Sequence, residues 1–180
     1  YTDCAGHSHD WTYTYIIDRT TVPVVNSNDI ESSSTVTCLD LATAPATIPT
    51  ATDVCGTTLT GELTSTVDNP TTITCSGTRT YTYIYTDCSG LTNTWSYVYT
   101  INDNVAPSIT TDITTLELTS TNCIFTVPDL TGHATISDNC QTPTVSQNPV
   151  AGTTVTGHSQ DVVLTVSDGC GNTATATITL

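Results

Sequence analysis

The chain has 180 residues but no lysine, no methionine and one phenylalanine, and its only basic side chains besides histidine are Arg19 and Arg79. Against these two stand 17 Asp and Glu, a formal net charge of −15. Such a surface cannot neutralise phosphates, which excludes nucleic acids and anionic lipid surfaces as direct partners. No apolar run approaches the ~18 residues of a membrane span, so direct membrane insertion is not expected. Tyr1-Thr2-Asp3-Cys4 has neither the basic nor the apolar part of a signal peptide, so the chain is expected to be a piece of a longer polypeptide or a processed product. Helical periodicity is missing throughout. Also missing are Gly-x-Ser-x-Gly, His-Glu-x-x-His and a glycine-rich phosphate loop, and the four histidines meet no nucleophile at a recognisable spacing. A paired-carboxylate hydrolase site is not expected to recur in every copy of a repeat, so no catalysis is expected.

What the sequence does contain is threonine, about a quarter of all residues, together with eight tyrosines. These residues suit half-buried pleated surfaces and point to an all-β protein. Eight cysteines are present and none forms a Cys-x-x-Cys pair. Disulfides in an oxidising, extracellular compartment are therefore expected rather than zinc ligation.

Self-similarity organises the chain. Tyr1-Thr2-Asp3-Cys4-Ala5-Gly6 followed by Trp11-Thr12-Tyr13-Thr14-Tyr15 returns as Tyr85-Thr86-Asp87-Cys88-Ser89-Gly90 followed by Trp95-Ser96-Tyr97-Val98-Tyr99, an offset of about 84 residues. Cys38 and Thr52-Asp53-Val54-Cys55 reappear as Cys123 and Ser137-Asp138-Asn139-Cys140, with a looser echo of the hairpin in Ser167-Asp168-Gly169-Cys170-Gly171-Asn172. Within a unit, Tyr81, Tyr83 and Tyr85, and then Trp95, Tyr97, Tyr99 and Ile101, alternate with smaller or polar residues, which predicts an antiparallel hairpin near the unit's end. In the last unit the hairpin is expected over 162–166 and 174–180. About seven short strands in ~85 residues is the pattern of a Greek-key sandwich. The expected architecture is tandem immunoglobulin-like Greek-key β-sandwiches clamped by disulfides. Residues 1–24 would be the C-terminal hairpin and linker of a preceding repeat, 25–105 a sandwich with four cysteines, and 106–180 a second sandwich.

The segments 42–45 through 53–56, 83–90, 128–132 through 137–140, and 167–172 resemble the HYR-like (hyalin-repeat) immunoglobulin-like domains that occur in tandem in large secreted and cell-surface proteins of Bacteroidota-type bacteria. The resemblance implies a structural or adhesive role in an extracellular fibre or appendage, such as an adhesin or a gliding, prey- or cell-contact filament, with no shared catalytic site. Its implied partners are adjacent repeats of the same polypeptide and copies of itself in a fibre or bundle. Family members often carry a cysteine near Ala174 or Ala176, which this chain lacks. A competing reading is a module that recognises polysaccharide or a surface protein.

Sequence alone leaves the cysteine connectivity open, and the geometry of a sandwich narrows it. The loop bearing Cys55 and the hairpin turn bearing Cys88 share one pole, which suggests Cys55–Cys88 and, in the next unit, Cys140–Cys170. Cys38 and Cys75 fall at the opposite pole and suggest Cys38–Cys75. Cys4 and Cys123 are then left without partners in this segment.

The linker Asn102-Asp103-Asn104 resembles the calcium-binding linker between cadherin domains. With Asp138 and Asp168 it offers hard oxygens for Ca²⁺, and Asp18, Asp53 and Asp87 form the equivalent set one unit earlier. The same residues also suit a plain solvated linker. His7-Ser8-His9-Asp10 has the composition of a metal clip, but Leu91-Thr92-Asn93-Thr94 fills the same turn in the next copy, so a solvated turn is expected. Trp11, Tyr13 and Tyr15, and Trp95, Tyr97 and Tyr99, read as sandwich core, with lateral contact between fibres or sugar stacking as alternatives.

Overall fold

A computed structural model describes residues 1–16, 19–120 and 122–180, and among them there is strand and turn but no α-helix. Seven strands make the first sandwich: β1 (Val24–Val25), β2 (Ser33–Val36), β3 (Ala51–Thr52), β4 (Thr58–Leu59), β5 (Glu62–Asn69), β6 (Ser76–Thr86) and β7 (Thr92–Asn102). Seven more make the second: β8 (Ser108–Thr111), β9 (Ile124–Thr126), β10 (Ala134–Ser137), β11 (Thr144–Asn148), β12 (Thr154–Thr156), β13 (Asp161–Ser167) and β14 (Thr173–Thr179). In the first sandwich a sheet ordered β1-β3-β4 faces one ordered β2-β7-β6-β5. There β2 runs parallel to β7, while the long β6–β7 hairpin is antiparallel, with Tyr83 opposite Trp95. The second sandwich repeats the hairpin as β13–β14, with β11 on its outer side. Its shorter strands pair as β8 with β10 and β9 with β12.

Alternation along the two hairpins decides which face is buried. Tyr81, Tyr83 and Tyr85 of β6 turn inward with Trp95 of β7 and Ala51 of β3, and Tyr97 and Tyr99 pack partly against them. The buried hydroxyls are satisfied: Tyr81 donates to the carbonyl of Ala42 at 2.7 Å and Tyr85 to that of Pro49 at 2.6 Å. Counted back from the hairpin turns at Asp87 and Asp168, the same positions of β13 hold Val162, Leu164 and Val166, all fully buried. The second core is therefore aliphatic, with Val127, Leu130 and Ile178 closing it. Space is shared differently in the two. A Cβ on Gly61 would stand 2.7 Å from the Tyr85 ring, whereas Val145 pairs with Val166 on the corresponding strands. A glycine opposite tyrosine and a valine opposite valine fill the same gap.

The expected hairpins are present at 76–102 and 161–179. In residues 1–16 the N-terminal turn closes with the same bonds as the β6–β7 turn, Asp3 N–H to the His7 carbonyl and Gly6 N–H to the Asp3 carbonyl, and a single antiparallel bridge joins Thr2 and Ser8. Among the described residues no sheet lies over Trp11, Tyr13 and Tyr15, which are 69%, 60% and 80% exposed; Trp11 stacks on Tyr13 and Tyr13 meets Tyr15 edge-on, with ring centroids at 5.7 and 4.5 Å. Their copies in β7 do have a sheet to cover: Trp95 is buried and Tyr97 and Tyr99 half-buried.

Candidate functional site

The two sandwiches meet end to end, and the meeting point is where the chain concentrates its chemistry. One pole of the first sandwich carries Cys38, just after β2, and Cys75, just before β6. The facing pole of the second carries Cys140, after β10, and Cys170, in the β13–β14 turn. Two disulfides cross between them, Cys38–Cys140 and Cys75–Cys170, with Cα–Cα distances of 5.2 and 5.3 Å. This corrects the expected pairs Cys38–Cys75 and Cys140–Cys170. The assignment of cysteines to poles holds, but each pole bonds the pole that faces it instead of closing on itself. Stacked end to end, the sandwiches bring Cys38 and Cys75 each within bonding distance of the neighbour's cysteine. Side-chain amides line the seam: Asn139 Nδ2 donates to the sulfurs of Cys38 and Cys140, and Gln141 Nε2 to the Thr74 carbonyl at 3.2 Å.

Cys55 and Cys88 are not joined to each other as expected; both are exposed free thiols, as is Cys4, while Cys123 is half-buried. Between Cys55 and Cys88 sits the guanidinium of Arg19, with Nη2 2.9 Å from the Cys55 sulfur and Nη1 3.0 Å from that of Cys88. Nη1 also lies 3.3 Å from Asp53 Oδ2. The sulfurs of Cys55 and Cys88, ahead of the carboxylates, hold the Arg19 pKa above its ordinary value.

Carboxylates anchor both junctions through the same local turn. In each loop an aspartate turns one oxygen onto amides two to four residues ahead, the short-range bonding that suits Asp to turns. Asp53 Oδ1 accepts from the amides of Cys55 and Thr57, and Asp87 Oδ1 from those of Ser89 and Leu91. Asp138 Oδ2 accepts from Cys140 and Gln141, and Asp168 Oδ1 from Cys170 and Asn172. These turns leave the second oxygen of Asp53, Asp87 and Asp138 free of its own loop, whereas Asp168 Oδ2 accepts from Asn172 Nδ2 at 2.6 Å. At the first junction the spare oxygen of Asp53 meets Arg19. At the second, Asp103 is only 6% exposed, and a carboxylate oxygen of Asp103 comes within 4.8 Å of one of Asp138 and of one of Asp168. Asp103 Oδ2 and Asp138 Oδ1 are buried with no hydrogen-bond partner among the described residues. Asp87 Oδ2 is in the same condition at the first junction.

Of the expected oxygen donors, Asp103 is thus brought to Asp138 on one side and to Asp168 on the other, in two separate groups. Asn102 and Asn104 are exposed and stand outside the group, because successive residues of extended chain face opposite ways. Asp53 and Asp87 gather around Arg19, and Asp18 lies outside the described residues. His7 Nδ1 sits 3.0 Å from Asp3 Oδ2 in an exposed turn. What sequence reasoning missed is Arg19 itself. At the offset of about 84 residues that aligns the hairpins, Arg19 falls on Asp103, so the signal was a charge reversal at one repeat position.

Residues 26–101 match the family model described as HYR-like domain with 4 cysteines, and the matched stretch contains Cys38, Cys55, Cys75 and Cys88. HYR-like domains are extracellular, non-catalytic structural modules. No curated protein matches the chain. No helix among the described residues is long and apolar enough to cross a membrane.

Proposed function

We propose that this chain is a structural segment of an extracellular, tandem-repeat fibre of adhesion type, whose role is to hold successive sandwiches in a fixed, stiff line. The observation that carries the reading is the pair of disulfides that crosses from one sandwich to the next. One covalent link would leave a swivel between two bodies, whereas two links and the peptide linker at residues 103–107 remove the remaining rotations. A ligand-binding module has no need of such rigidity along its axis, whereas a load-bearing spacer does.

The repeat extends the same logic outward. Cys55 and Cys88 occupy in the first sandwich the places of Cys140 and Cys170 in the second, and they are exposed. A unit stacked on that face, bearing cysteines at the places of Cys38 and Cys75, would form the same two bonds. Cys123 occupies the place of Cys38 and would serve as donor to a following unit; the second donor is missing there, since Thr156 or Gly157 stands where a Cys75 equivalent would be. Such a ladder continues through adjacent repeats or through copies of this chain. The acidic surface keeps fibres apart except at these poles.

Small-angle X-ray scattering of the oxidised and the reduced chain tests the reading. The oxidised chain should scatter as one elongated particle with a narrow spread of dimensions. Reduction should broaden that distribution as the junction begins to hinge. Superimposable profiles would show that the crossing disulfides do not set the shape and would overturn the spacer role.

A further inference from the structure

We propose that the second junction binds a calcium ion, held by Asp103 and Asp138, and that Arg19 is the built-in substitute for that ion at the first junction. Asp103 is more than nine-tenths buried and its Oδ2 has no hydrogen-bond partner among the described residues. Asp138 Oδ1 is orphaned in the same way. An uncompensated carboxylate out of water is unfavourable by several kcal/mol, and two or three together are worse through mutual repulsion. The chain has no side-chain cation to relieve them: Arg79 is engaged by Asp68 on the first sandwich at 2.7 and 2.8 Å, and Arg19 belongs to the first junction.

The first junction shows what the second requires. Asp53 and Asp87 correspond to Asp138 and Asp168, and they carry the same Asx-type bonds to their own loops. The oxygen of Asp53 left over by its loop is met by the guanidinium, at 3.3 Å. At Arg19's own repeat position the second junction has Asp103, so a positive charge has been replaced by a third negative one. An exchange of a cation for an oxygen ligand at one position, with the surrounding carboxylates retained, is the change expected where a bound ion takes over from a side chain.

The spacing suits calcium. Oxygens that share one Ca²⁺ at about 2.4 Å lie at most ~4.8 Å apart. The Asp103–Asp138 oxygen pair meets that limit, while Asp168 approaches Asp103 in a separate group and keeps its Oδ2 on the Asn172 side-chain amide at 2.6 Å. The sulfurs of Cys140 and Cys170 also fall within this radius, but they are bonded in the disulfides and are not ligands. Irregular carboxylate geometry with water completing the shell is compatible with calcium and less so with the strict octahedron of magnesium. The site joins a residue of the linker to a loop of the following sandwich, so it would lock the same joint as the disulfides. It rests on the charges at the junction, and it would stand even if the fibre reading failed.

Isothermal calorimetry with CaCl₂ on the oxidised, EDTA-washed chain tests it. One ion should bind with a Kd of about 0.1–1 mM, in the range of extracellular calcium modules. Asp103→Asn and Asp138→Asn should each weaken binding at least tenfold. Asp103→Arg, which copies the first junction, should abolish binding, and its thermal midpoint should exceed that of the wild type in EDTA. Arg19→Asp should add a second ion. No heat and no shift of the wild-type thermal midpoint at 10 mM calcium would overturn the proposal, as would binding that Asp103→Asn and Asp138→Asn both leave unchanged. Should Asp103→Arg misfold, the wild-type titration and the Asp138→Asn comparison decide the matter alone.

Discussion

Around the first junction, Arg19 reaches Asp53 and both Cys55 and Cys88. Around the second, Asp103 takes the arginine's place, the equivalent carboxylates are Asp138 and Asp168, and the equivalent cysteines are bonded to the neighbouring sandwich. The loops that present these groups are the same in both, since each aspartate is fixed by amides of its own turn. What differs is how the charge is balanced and whether the sulfurs have found partners. The comparison teaches that the sandwich supplies a standard socket, and that the residue arriving from the linker decides what the socket holds. The cores make a parallel comparison: a tyrosine-rich interior with a glycine opposite Tyr85, against an aliphatic one with Val145 opposite Val166.

The sharpest way to break the comparison is to remove a crossing bond. Cys38→Ser opens a loop with a sequence separation of 102, and loss of closure entropy for a loop of that size amounts to about 4–5 kcal/mol. Cys55→Ser, at the equivalent of Cys140, should change stability by no more than about 0.5 kcal/mol, as for an exposed side chain without a bond. Guanidinium denaturation of the two variants measures both. If the two changes were equal, the sulfurs of the two junctions would not differ in state.

Next in size is the packing difference between the cores. Gly61→Ala places a methyl group 2.7 Å from the Tyr85 ring, whose hydroxyl is tied to the Pro49 carbonyl. Overpacking of this kind destabilises by about 1–3 kcal/mol. Making the change together with Tyr85→Val, which copies the second sandwich, should recover part of the loss, and chemical denaturation of the single and double variants reads the coupling.

The smallest effects are expected from acid. The Thr57 amide first, against burial, and then the Cys55 amide and Arg19 hold Asp53 below its ordinary value; for Asp87 the leading cause is the Ser89 hydroxyl. Burial raises Asp168, but the Asn172 side chain and the amides of Cys170 and Asn172 outweigh it. A carboxylate whose folded pKa is lowered stabilises the fold above its unfolded pKa, near 3.8, and that contribution disappears as pH falls through the lower folded value. The thermal midpoint should therefore be flat from pH 7 to about 5 and decline below about 4. Arg19→Gln should lower the midpoint at pH 7 and matter progressively less as acid protonates Asp53, whose pKa is lowered.

Much of this architecture is legible in the sequence, for physical reasons that particular residues make plain. Tyr81-Thr82-Tyr83-Ile84-Tyr85 alternates with the period of a half-buried strand, and Asp87-Cys88-Ser89-Gly90 is a turn, so the β6–β7 hairpin could be placed without coordinates. The repeat located the junctions and put Asp103 with Asp138 and Asp168. The partners of Cys38 and Cys75 were not legible, because spacing along the chain assigns a cysteine to a pole but carries no information on whether that pole meets another. Trp11, Tyr13 and Tyr15 carry the same stripe as Trp95, Tyr97 and Tyr99, yet among the described residues only the second stripe has a sheet to cover, which pattern alone cannot tell. Arg19 was overlooked because it was read as a lone charge and not as the repeat counterpart of Asp103.

The central claim is that the sandwiches are bonded to each other rather than within themselves, and a disulfide map of the unreduced chain tests it most directly. Lysine is absent and arginine scarce, so digestion should cleave before aspartate, which leaves each of the eight cysteines on its own peptide. The account predicts that the peptide starting at Asp29, with Cys38, is linked to that starting at Asp138, with Cys140, and that the Asp68 peptide, with Cys75, is linked to the Asp168 peptide, with Cys170. Recovery of Cys38 linked to Cys75, and of Cys140 linked to Cys170, would contradict it.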